Sequence, residues 1–466
     1  MDRELTKKYN SLKALYELGF IDPKATAKNI NYIGIVSKFF CCSLLLIYVS
    51  NNFFIAINHL IYIIQNLLKC FLFIYTQITQ YSGIVIEPYL PCDDTRKLYD
   101  ESSLPLYSIL IPMYKEGVGV KSIISNISKL NYPTKLLDVK LVLEEDDVET
   151  LSILESIDLE EHMNIIKVPY SQPRTKPKAI NYAMQYIKGE YVVIYDVEDM
   201  PETEQLMKAV RSFKSLPEEV ICLQAKLRFY NHDKNILAKL FNIEYQIWFD
   251  FLLPAMDRFN IPVPLGGNSN HFKAGALRKL GLWDAYNVTE DADLGIRLFM
   301  HGFKAKIIDS YSFEEAPTDI KNWLNQRSRW IKGFMQTFLV YSCQTNKLKS
   351  KMSLKSRICT YIFIGFTTYS FLFLPWYFII TQSENFINSI LSQINIYMTF
   401  LYMYYSGAII VSSTNFLYKV KLLDIVALIL WPFYFILHTI AGYKALFELI
   451  TQPFSWNKTR HSISES

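Results

Sequence analysis

A long stretch near the start of the chain carries no charge, because residues 39–68 contain no Asp, Glu, Lys or Arg. A bilayer core of about 30 Å is crossed by about 20 apolar helical residues, so this stretch is long enough for two crossings. The polar residues 50–52 predict a hairpin between one helix at 33–49 and a second at 53–75. The alternative is one membrane helix followed by a helix buried in a protein core.

A second apolar block lies toward the C-terminal end, with predicted membrane segments at residues 358–381, about 394–412, and 422–440. Pro432 and the Gly442-Tyr443-Lys444 sequence indicate that the last segment is broken and is re-entrant or interfacial. Most of the charge lies between the two blocks. The sequence therefore predicts three parts: residues 1–94 with about two membrane helices, a soluble domain at 95–350, and residues 351–466 with two or three helices and a basic tail.

Basic residues flank the predicted soluble domain on both sides. They are Lys7, Lys8, Lys24 and Lys28 before it, and Lys347, Lys349, Lys351, Lys355 and Arg357 after it. Basic loops tend to stay on the cytoplasmic side of a membrane, so the soluble domain is expected in the cytoplasm. Three C-terminal crossings would place the basic tail at residues 458–461 outside, and the helix count therefore stays open.

The overall composition excludes some classes of protein. There are 48 basic and 44 acidic residues, a net charge of +4, which argues against a protein that coats nucleic acid. The seven cysteines form no C-x-x-C pair, so neither a disulfide framework nor a structural zinc site is expected, and a reducing compartment is favoured. The sequence lacks the motifs of P-loop ATPases, dinucleotide dehydrogenases and zinc proteases.

Within residues 95–350, short apolar runs alternate with helical patterns. The runs are at residues 106–112, 140–143, 165–168, 191–195 and 220–223, and helical spacing is found at 120–130, 177–187 and 202–213. This alternation predicts an α/β domain with a mostly parallel sheet and helices on both faces. Ligands of such sheets bind beyond the carboxyl ends of the strands, so the polar residues at those ends are candidates for the site.

Acidic residues follow three of the predicted strands. They are Glu116, then Glu144, Glu145, Asp146 and Asp147, and finally Asp196, Glu198 and Asp199. Carboxylates so close together repel each other unless a cation screens them, and their hard oxygen atoms suit Mg2+ or Mn2+. The alternative is that Asp199 caps the helix that follows and the other carboxylates are solvated.

Three further segments combine charge with helical spacing. Residues 289–293 (TEDAD) open a helix that runs to residue 300, residues 326–330 (QRSRW) lie on another helix, and residues 174–178 (RTKPK) bring three cations to a helix start. A helix start of the last kind is a ready site for an anion. Each segment also has a second interpretation: helix capping, an amphipathic helix on the membrane surface, and a simple basic loop, respectively.

Taken in order, YSILIPMYKE, LVLEEDD, KPKAINYA, YDVEDMPE, GGNSNHFK, TEDADLGIRL and QRSRWIKG resemble segments of the family-2 glycosyltransferases. The likeness is to the membrane-embedded branch of cellulose synthases, hyaluronan synthases and related bacterial polysaccharide synthases, and it covers residues 105–340. It implies a GT-A-like, Rossmann-like nucleotide-sugar domain that is flanked by transmembrane helices and lies on the cytoplasmic side of a bacterial inner membrane.

The resemblance implies which residues bind the donor. The matching residues are Tyr114, Glu116, Glu144, Glu145, Asp146 and Lys178. The first five match the nucleoside-binding edge, where the family usually has Asp-Asp-Gly, so one of the three adjacent acids is expected to take that role. Lys178 matches the lysine that touches the diphosphate.

Metal binding and catalysis are assigned in the same way. Asp196 and Glu198 match the metal-binding Asp-x-Asp motif, with Asp199 beside them as a substitute ligand for Mg2+ or Mn2+. Asp291 matches the general base that removes the acceptor hydroxyl proton. The substrate-binding residues of the last motif are Gln326, Arg327, Arg329 and Trp330. In the family, its last arginine steadies the leaving diphosphate and its tryptophan stacks on the acceptor sugar.

The implied activity is that of an inverting, metal-dependent glycosyltransferase, which moves a sugar from a UDP-sugar to a growing β-linked glycan at the membrane. Its partners would be the nucleotide-sugar donor, a glycan or lipid-linked acceptor, and membrane lipids, with no nucleic acid. Two alternatives stay open. One is transfer of a single sugar to a membrane lipid, and the other is a catalytically degenerate membrane receptor or scaffold with the same fold.

Overall fold

The computed structural model describes residues 26–81, 104–343, 352–380, 389–390, 392–393 and 421–455. The predicted membrane segment at 394–412, the basic tail and most of the flanking lysines lie outside these ranges. The described thiols are free; they belong to Cys41, Cys42, Cys70, Cys222 and Cys359.

The central domain is built on an eight-stranded mixed sheet with the order β3-β2-β1-β4-β7-β6-β8-β5. The strands are β1 Tyr107–Met113, β2 Leu137–Glu144, β3 Met163–Val168, β4 Tyr191–Ile194, β5 Met200–Pro201, β6 Val220–Phe229, β7 Asn270–Lys273 and β8 Lys304–Glu314. Strands β3, β2, β1 and β4 are parallel neighbours, and so are β6 and β8. The pairs β4–β7, β6–β7 and β5–β8 are antiparallel. The predicted mostly parallel sheet with helices is thus confirmed, and the strands that the sequence did not predict are β5, β7 and β8.

The sheet has a hydrophobic core on each face, because successive residues of a strand point to opposite sides. Ile109 and Ile111 of β1 pack into one core, and Leu110 packs into the other. A strand that is buried on both faces has no polar side to alternate with, which explains the continuous apolar runs in the sequence. The core that contains Leu110 also includes Leu72 and Trp431 from the apolar helices near the two ends of the chain.

The described α-helices are numbered in chain order. They are α1 Tyr32–Val49, α2 Asn51–Tyr81, α3 Val120–Ser128, α4 Val148–Glu155, α5 Lys176–Ala183, α6 Gln205–Ser215, α7 Ile236–Gln246, α8 Leu253–Arg258, α9 Ala274–Lys279, α10 Glu290–Met300, α11 Ile320–Cys343, α12 Leu354–Thr360, α13 Thr367–Ile380 and α14 Leu422–Thr451. Segments of π-helix at Ile247–Leu252 and Tyr361–Phe366 join α7 to α8 and α12 to α13. The helices predicted in the central domain are all present, with ends shifted by a few residues.

Two of the described helices are long and apolar enough to cross a membrane, over Asn52–Thr79 in α2 and Leu422–Thr451 in α14, and Tyr32–Leu45 forms a shorter apolar stretch. Helix α14 continues through Pro432 and Gly442, so the predicted break at residues 442–444 is not found. The helix packs against α13 at this point, because a Cβ at Gly442 would lie 3.4 Å from Cβ of Phe371, an ordinary van der Waals distance.

A buried ionic cluster joins the central domain to α14. Glu244 of α7 lies 2.5 Å from Nη2 of Arg327 in α11, accepts a hydrogen bond of 2.9 Å from Tyr434 OH, and lies 3.3 Å from Nε2 of His438. Burial alone would raise the pKa of Glu244, but the charges of Arg327 and His438 and the hydrogen bonds from His438 and Tyr434 together outweigh burial and lower this pKa to about 2. The cluster fixes α11, which carries the QRSRW motif, against an apolar helix.

Candidate active site

The acidic turn after β4 lies at the carboxyl end of the parallel half of the sheet. Asp199 is fully buried, and its Oδ2 accepts a hydrogen bond of 2.7 Å from the backbone N–H of Asp196, which closes the turn. Its Oδ1 accepts a hydrogen bond of 2.5 Å from Nδ2 of Asn268. Asp196 and Glu198 are half-buried. The structure therefore gives Asp199 a role in shaping the turn, and Asp196 and Glu198 are the carboxylates of the turn that stay partly exposed.

A lysine other than the predicted Lys178 reaches this turn. Nζ of Lys176 lies 2.5 Å from Oδ1 of Asp196 and donates a hydrogen bond of 2.7 Å to the carbonyl oxygen of Gly267. Burial alone would lower the pKa of Lys176, but the carboxylates of Asp196 and Asp291 raise it above its ordinary value. The side chain is thus a stable cation within the group of acids.

Lys178 has a different partner. Its Nζ lies 2.7 Å from Oε2 of Glu144, and both side chains are buried. Burial raises the pKa of Glu144, and Lys178 opposes that rise. Residues two positions apart on a helix point in nearly opposite directions, so Lys176 and Lys178 do not share a partner. The structure pairs the predicted residues Glu144 and Lys178 with each other and brings Lys176 to the acidic turn.

The other donor residues predicted after β2 lie beside Arg174, the first cation of the RTKPK segment, and beside Tyr170, which was not predicted. Asp146 forms an ion pair with Arg174, whose guanidinium lies 5.2 Å from the ring centre of Tyr114 and 5.1 Å from that of Tyr170. Glu145 accepts a hydrogen bond of 2.6 Å from the backbone N–H of Tyr170. Two aromatic rings, a guanidinium and two carboxylates thus form one edge of the site.

The turn after β1 is fixed to α4. Asp147 accepts hydrogen bonds from the backbone N–H groups of Lys115 at 2.5 Å and Thr150 at 3.3 Å, and so caps α4. The backbone N–H of Glu116 donates a hydrogen bond of 3.2 Å to Oγ1 of Thr150. These contacts set the position of Tyr114 at the end of the strand, and they bring Glu116 to the start of α4.

Asp291, the predicted base, is the second residue of α10 and is 7% exposed. Its Oδ1 accepts a hydrogen bond of 2.8 Å from the indole N–H of Trp283. Burial and the neighbouring Glu290 raise the pKa of Asp291 well above its ordinary value, whereas Lys176 and the indole N–H oppose the rise. A carboxylate with a raised pKa is a better proton acceptor once it is ionised, which suits a general base.

The QRSRW motif of α11 brings a second cation to the same acids. Burial lowers the pKa of Arg329, and the negative charges of Glu290, Asp196 and Glu198 oppose this. Arginine stays protonated in proteins, so α11 supplies a permanent positive charge at the site. Gln326, one turn earlier, is 8% exposed, and its Oε1 has no hydrogen-bond partner among the described residues.

Trp330 and Arg327 of the same motif lie in an aromatic cluster with α7. The Trp330 ring centre is 5.8 Å from that of Tyr245 and 6.2 Å from that of Phe241, and the Arg327 guanidinium lies 4.6 Å from the Trp330 ring centre. Arg327 is also the ion-pair partner of Glu244. The contacts of Arg327 therefore belong to the helix interface, whereas Trp330 is half-buried and keeps part of its surface accessible.

The GGNSNHFK segment borders the predicted base. Oε1 of Gln224 accepts a hydrogen bond of 2.7 Å from the backbone N–H of Gly266, and its Nε2 donates one of 3.0 Å to the carbonyl of Asn268. A Cβ at Gly267 would lie 4.0 Å from Oδ2 of Asp291. Gln224 was not predicted to belong to the site. The signal in the sequence for a close approach of the backbone to this site is the glycine pair Gly266-Gly267.

The chemistry of the acidic turn fits a divalent ion that shares its ligands with a substrate. Within the described ranges, no group of three or more His, Cys, Asp or Glu residues is arranged to hold a metal ion. Burial and mutual repulsion raise the pKa values of Asp196, Asp199 and Glu314, which shows that the negative charge is incompletely balanced. Mg2+ is commonly held by one or two carboxylates while substrate phosphates complete its shell, and Asp196 and Glu198 could provide them.

Acids and cations gathered at the carboxyl edge of such a sheet are typical of an enzyme that acts on a phosphorylated ligand. The chain belongs to the glycosyl transferase family group 2, whose sequence profile matches residues 191–443, more than half of the chain. The family predicted from the sequence motifs is thereby confirmed, and the chain is a glycosyltransferase by family.

Two relatives of this chain share about a quarter of its residues over the matched regions. The Bacillus subtilis protein YdaM, named as a probable glycosyltransferase, is 26% identical over 307 residues, which cover 64% of this chain and 70% of YdaM. A β-monoglucosyldiacylglycerol synthase of Trichormus variabilis is 24% identical over 246 residues, which cover 52% of this chain and 51% of that protein. The match therefore spans only about half of the synthase.

A solved structure supports the fold. The mannosyltransferase PcManGT of Pyrobaculum calidifontis, in complex with GDP-Man and Mn2+, has a TM-score of 0.54 and 17% sequence identity to this chain. The superposition covers 85% of this chain and 99% of PcManGT. The GT-A-like arrangement of a mixed sheet with helices, predicted from the resemblance, is thus confirmed at the level of the fold.

Proposed function

We propose that this chain is an inverting glycosyltransferase at a membrane, which transfers a sugar from a UDP-sugar to a β-linked glycan and uses Mg2+ or Mn2+. The observation that carries the proposal is the convergence of Lys176 and Arg329 on the carboxylate of Asp196, with Asp291 also acting on Lys176. Negative charge develops on the diphosphate as it leaves, and preorganised cations stabilise that charge. A divalent ion at Asp196 and Glu198 would add to this neutralisation.

The proposed reaction is a single displacement. The oxygen of an acceptor hydroxyl forms a bond to C1 of the donor sugar while the bond between C1 and the diphosphate oxygen breaks. The hydroxyl proton passes to Asp291, and the nucleoside diphosphate leaves with the electron pair. Attack from the face opposite the leaving group inverts C1, so an α-linked donor yields a β-linkage. A general base of this kind contributes about a hundredfold to ten-thousandfold.

The edge formed by Tyr114, Asp146, Tyr170 and Arg174 is proposed to hold the nucleobase. A flat base stacks on aromatic rings or on a guanidinium, and a carboxylate accepts a hydrogen bond from a base N–H. Uracil and guanine both carry such an N–H group, so the test of the donor includes UDP-sugars and GDP-sugars. We place Lys176 rather than Lys178 at the diphosphate, since Lys178 is engaged with Glu144.

Transfer of a single sugar to a membrane lipid is the second candidate function. The ring of Trp330 lies beside that of Tyr245 in α7. Helix α7 continues without a break into the π-helical segment, where the ring centre of Phe251 lies 4.5 Å from that of Phe73 in α2. Aromatic side chains of this helix therefore contact Trp330 of the proposed site at one point and, farther along, α2, which is apolar enough to span a membrane. We propose that the acceptor approaches from this side, with the central domain in the cytoplasm. The similarity to a protein named as a β-monoglucosyldiacylglycerol synthase supports this alternative.

The experiment incubates membranes that contain the protein with radiolabelled UDP-sugars and GDP-sugars and Mg2+ or Mn2+. Label that elutes as a long product supports glycan synthesis, and label in one lipid-linked sugar supports the second candidate. Asp291→Asn is the control, because it keeps the shape of the side chain and removes the base. Binding of donor without any turnover in the wild type would instead indicate a degenerate receptor and contradict the proposed reaction.

A further inference from the structure

Trp283 lies in the loop between α9 and α10 and is fully buried. Its indole N–H donates the hydrogen bond of 2.8 Å to Oδ1 of Asp291. The ring packs edge-on against Phe272 of β7, with a distance of 5.6 Å between ring centres. The residue is therefore held by the core on one side and contacts the predicted base on the other.

The backbone of Trp283 is fixed by α5, the helix that begins with Lys176. Nδ2 of Asn181 donates a hydrogen bond of 2.8 Å to the carbonyl of Trp283, and Oδ1 of Asn181 accepts one of 3.2 Å from its N–H. Oγ1 of Thr175 also donates a hydrogen bond of 2.8 Å to the carbonyl of Ala285. One helix thus positions a cation at Asp196 and, through these bonds, the loop that contacts Asp291.

We propose that Asn181 and Trp283 are positioning residues for Asp291, which hold one carboxylate oxygen so that the other is directed at the acceptor hydroxyl. The proposal rests on the function proposed above, in which Asp291 is the base. Oδ1 is engaged by the indole, whereas Oδ2 lies near Gly267, where the missing side chain leaves room. The proton-accepting oxygen is accordingly Oδ2.

The indole N–H also affects the charge of the base. The charged groups that act on Asp291 are Glu290, Lys176 and Asp196, and the uncharged thiol of Cys222 lies within range. A donor that bonds to the ionised carboxylate stabilises it and lowers its pKa. Removal of the indole N–H therefore raises the pKa of Asp291, so less of the base is ionised at neutral pH.

The test is Trp283→Phe, which keeps an aromatic ring against Phe272 and removes the N–H donor. Hydrogen bonds to charged groups are worth enough to change the rate by about tenfold to a hundredfold, so kcat at neutral pH is expected to fall by that factor. The acid limb of the pH–rate profile is expected to move upward by about one pH unit, while KM for the donor stays unchanged.

The matched control is Trp323→Phe. Trp323 is also fully buried, and its indole N–H donates a hydrogen bond of 2.9 Å to Tyr434 OH in the helix interface. This variant is expected to lose stability and to keep the wild-type position of the acid limb. If both variants keep that position, or if both shift it equally, Trp283 has no special role toward Asp291.

A second measurement covers the case that Trp283→Phe does not fold. In protein labelled with 15N at the indole nitrogens, the Trp283 resonance is expected to titrate with pH, and Asp291→Asn is expected to abolish that titration. A Trp283 resonance that ignores Asp291→Asn overturns the inference. Absence of sugar transfer by the wild type contradicts the proposed function instead, and the indole titration still reports on the contact itself.

Discussion

Gly333 of α11 packs directly on Thr289, the residue that precedes the acidic start of α10. A Cβ at position 333 would lie 2.3 Å from Oγ1 and 2.4 Å from Cγ2 of Thr289. Real Cβ atoms do not approach so closely, so the glycine sets the distance between the helix of the QRSRW motif and the helix of Asp291. The two parts of the proposed site are therefore in direct contact at Gly333 and Thr289.

The first prediction concerns this contact. Gly333→Ala is expected to push α10 and α11 apart, to destabilise the protein by about 1–3 kcal/mol as overpacked sites do, and to lower the transfer rate. The control is Gly275→Ala, because a Cβ at this helical glycine meets nothing within 4 Å. Thermal unfolding in detergent and donor turnover measure both effects. Equal behaviour of the two variants would show that the contact with Thr289 does not set the geometry of the site.

The second prediction separates the two lysines of α5. Lys176→Ala removes a cation from the proposed diphosphate site and is expected to slow transfer about a hundredfold or more, in the range found when one electrostatic donor is lost. Lys178→Ala leaves the buried carboxyl of Glu144 without its partner and is expected to cost about 3 kcal/mol of stability. Turnover and unfolding temperature are measured for each. A Lys178→Ala protein with wild-type stability and a hundredfold loss of turnover would reverse the assignment.

The third prediction concerns the pH dependence of stability. The folded-state pKa of Glu244, about 2, lies below the ordinary value of 4.5, so ionised Glu244 stabilises the fold. This stabilisation is complete above about pH 5 and is lost as the pH falls through 4.5 toward 2. Glu244→Gln is expected to lower the unfolding temperature at neutral pH, by an amount that corresponds to on the order of 3 kcal/mol, and the difference from the wild type is expected to shrink toward low pH.

The control for this prediction is Glu219→Gln, which removes an exposed carboxylate that lies 3.6 Å from Nζ of Lys304. Exposed ion pairs contribute little, so its unfolding temperature should follow that of the wild type at every pH. A constant difference between Glu244→Gln and the wild type down to about pH 3 would mean that the Glu244 charge does not stabilise the helix interface.

The fourth prediction concerns the metal. Treatment with EDTA is expected to abolish release of nucleoside diphosphate, and Mg2+ or Mn2+ is expected to restore it. Among the residues that the structure describes, the acidic turn offers two partly exposed carboxylates, Asp196 and Glu198, rather than a closed set of ligands, so metal and donor should bind together. Titration of Mn2+ in the presence and absence of donor checks this linkage. Full activity after chelation, with no metal left by elemental analysis, would refute the metal dependence.

Much of the fold could be predicted because its local signals agree. The parallel strands are apolar on both faces, and the helices between them show regular apolar spacing. The order of strands and helices along the chain could therefore be predicted. Strand β7 was missed because its sequence, Asn-His-Phe-Lys, is mostly polar, and its strand conformation depends on β4 and β6 on either side. The two-residue β5 likewise forms only because β8 lies beside it.

The sequence motifs predicted which residues belong to the site, but they did not predict which of these residues contact each other. Motifs predicted that Asp196, Asp291 and Arg329 belong to one site, but they did not show which lysine of the RTKPK segment faces the acids. That choice depends on the phase of α5, where two positions correspond to a rotation of about 200°. Trp283 carried no signal at all, because its contact with Asp291 is made by a loop that has no periodic pattern.

The proposed function requires that the acids and cations of the site surround a diphosphate. The most direct test measures the release of nucleoside diphosphate from UDP-sugars and GDP-sugars. The assay contains purified protein, Mg2+ or Mn2+, and a membrane lipid extract. We expect the wild type to turn over at least one donor, and Asp196→Ala and Asp291→Asn to lose about a hundredfold or more of that rate while they remain folded. Wild-type rates in both variants, or no turnover of any donor by the wild type, would contradict the site proposed here.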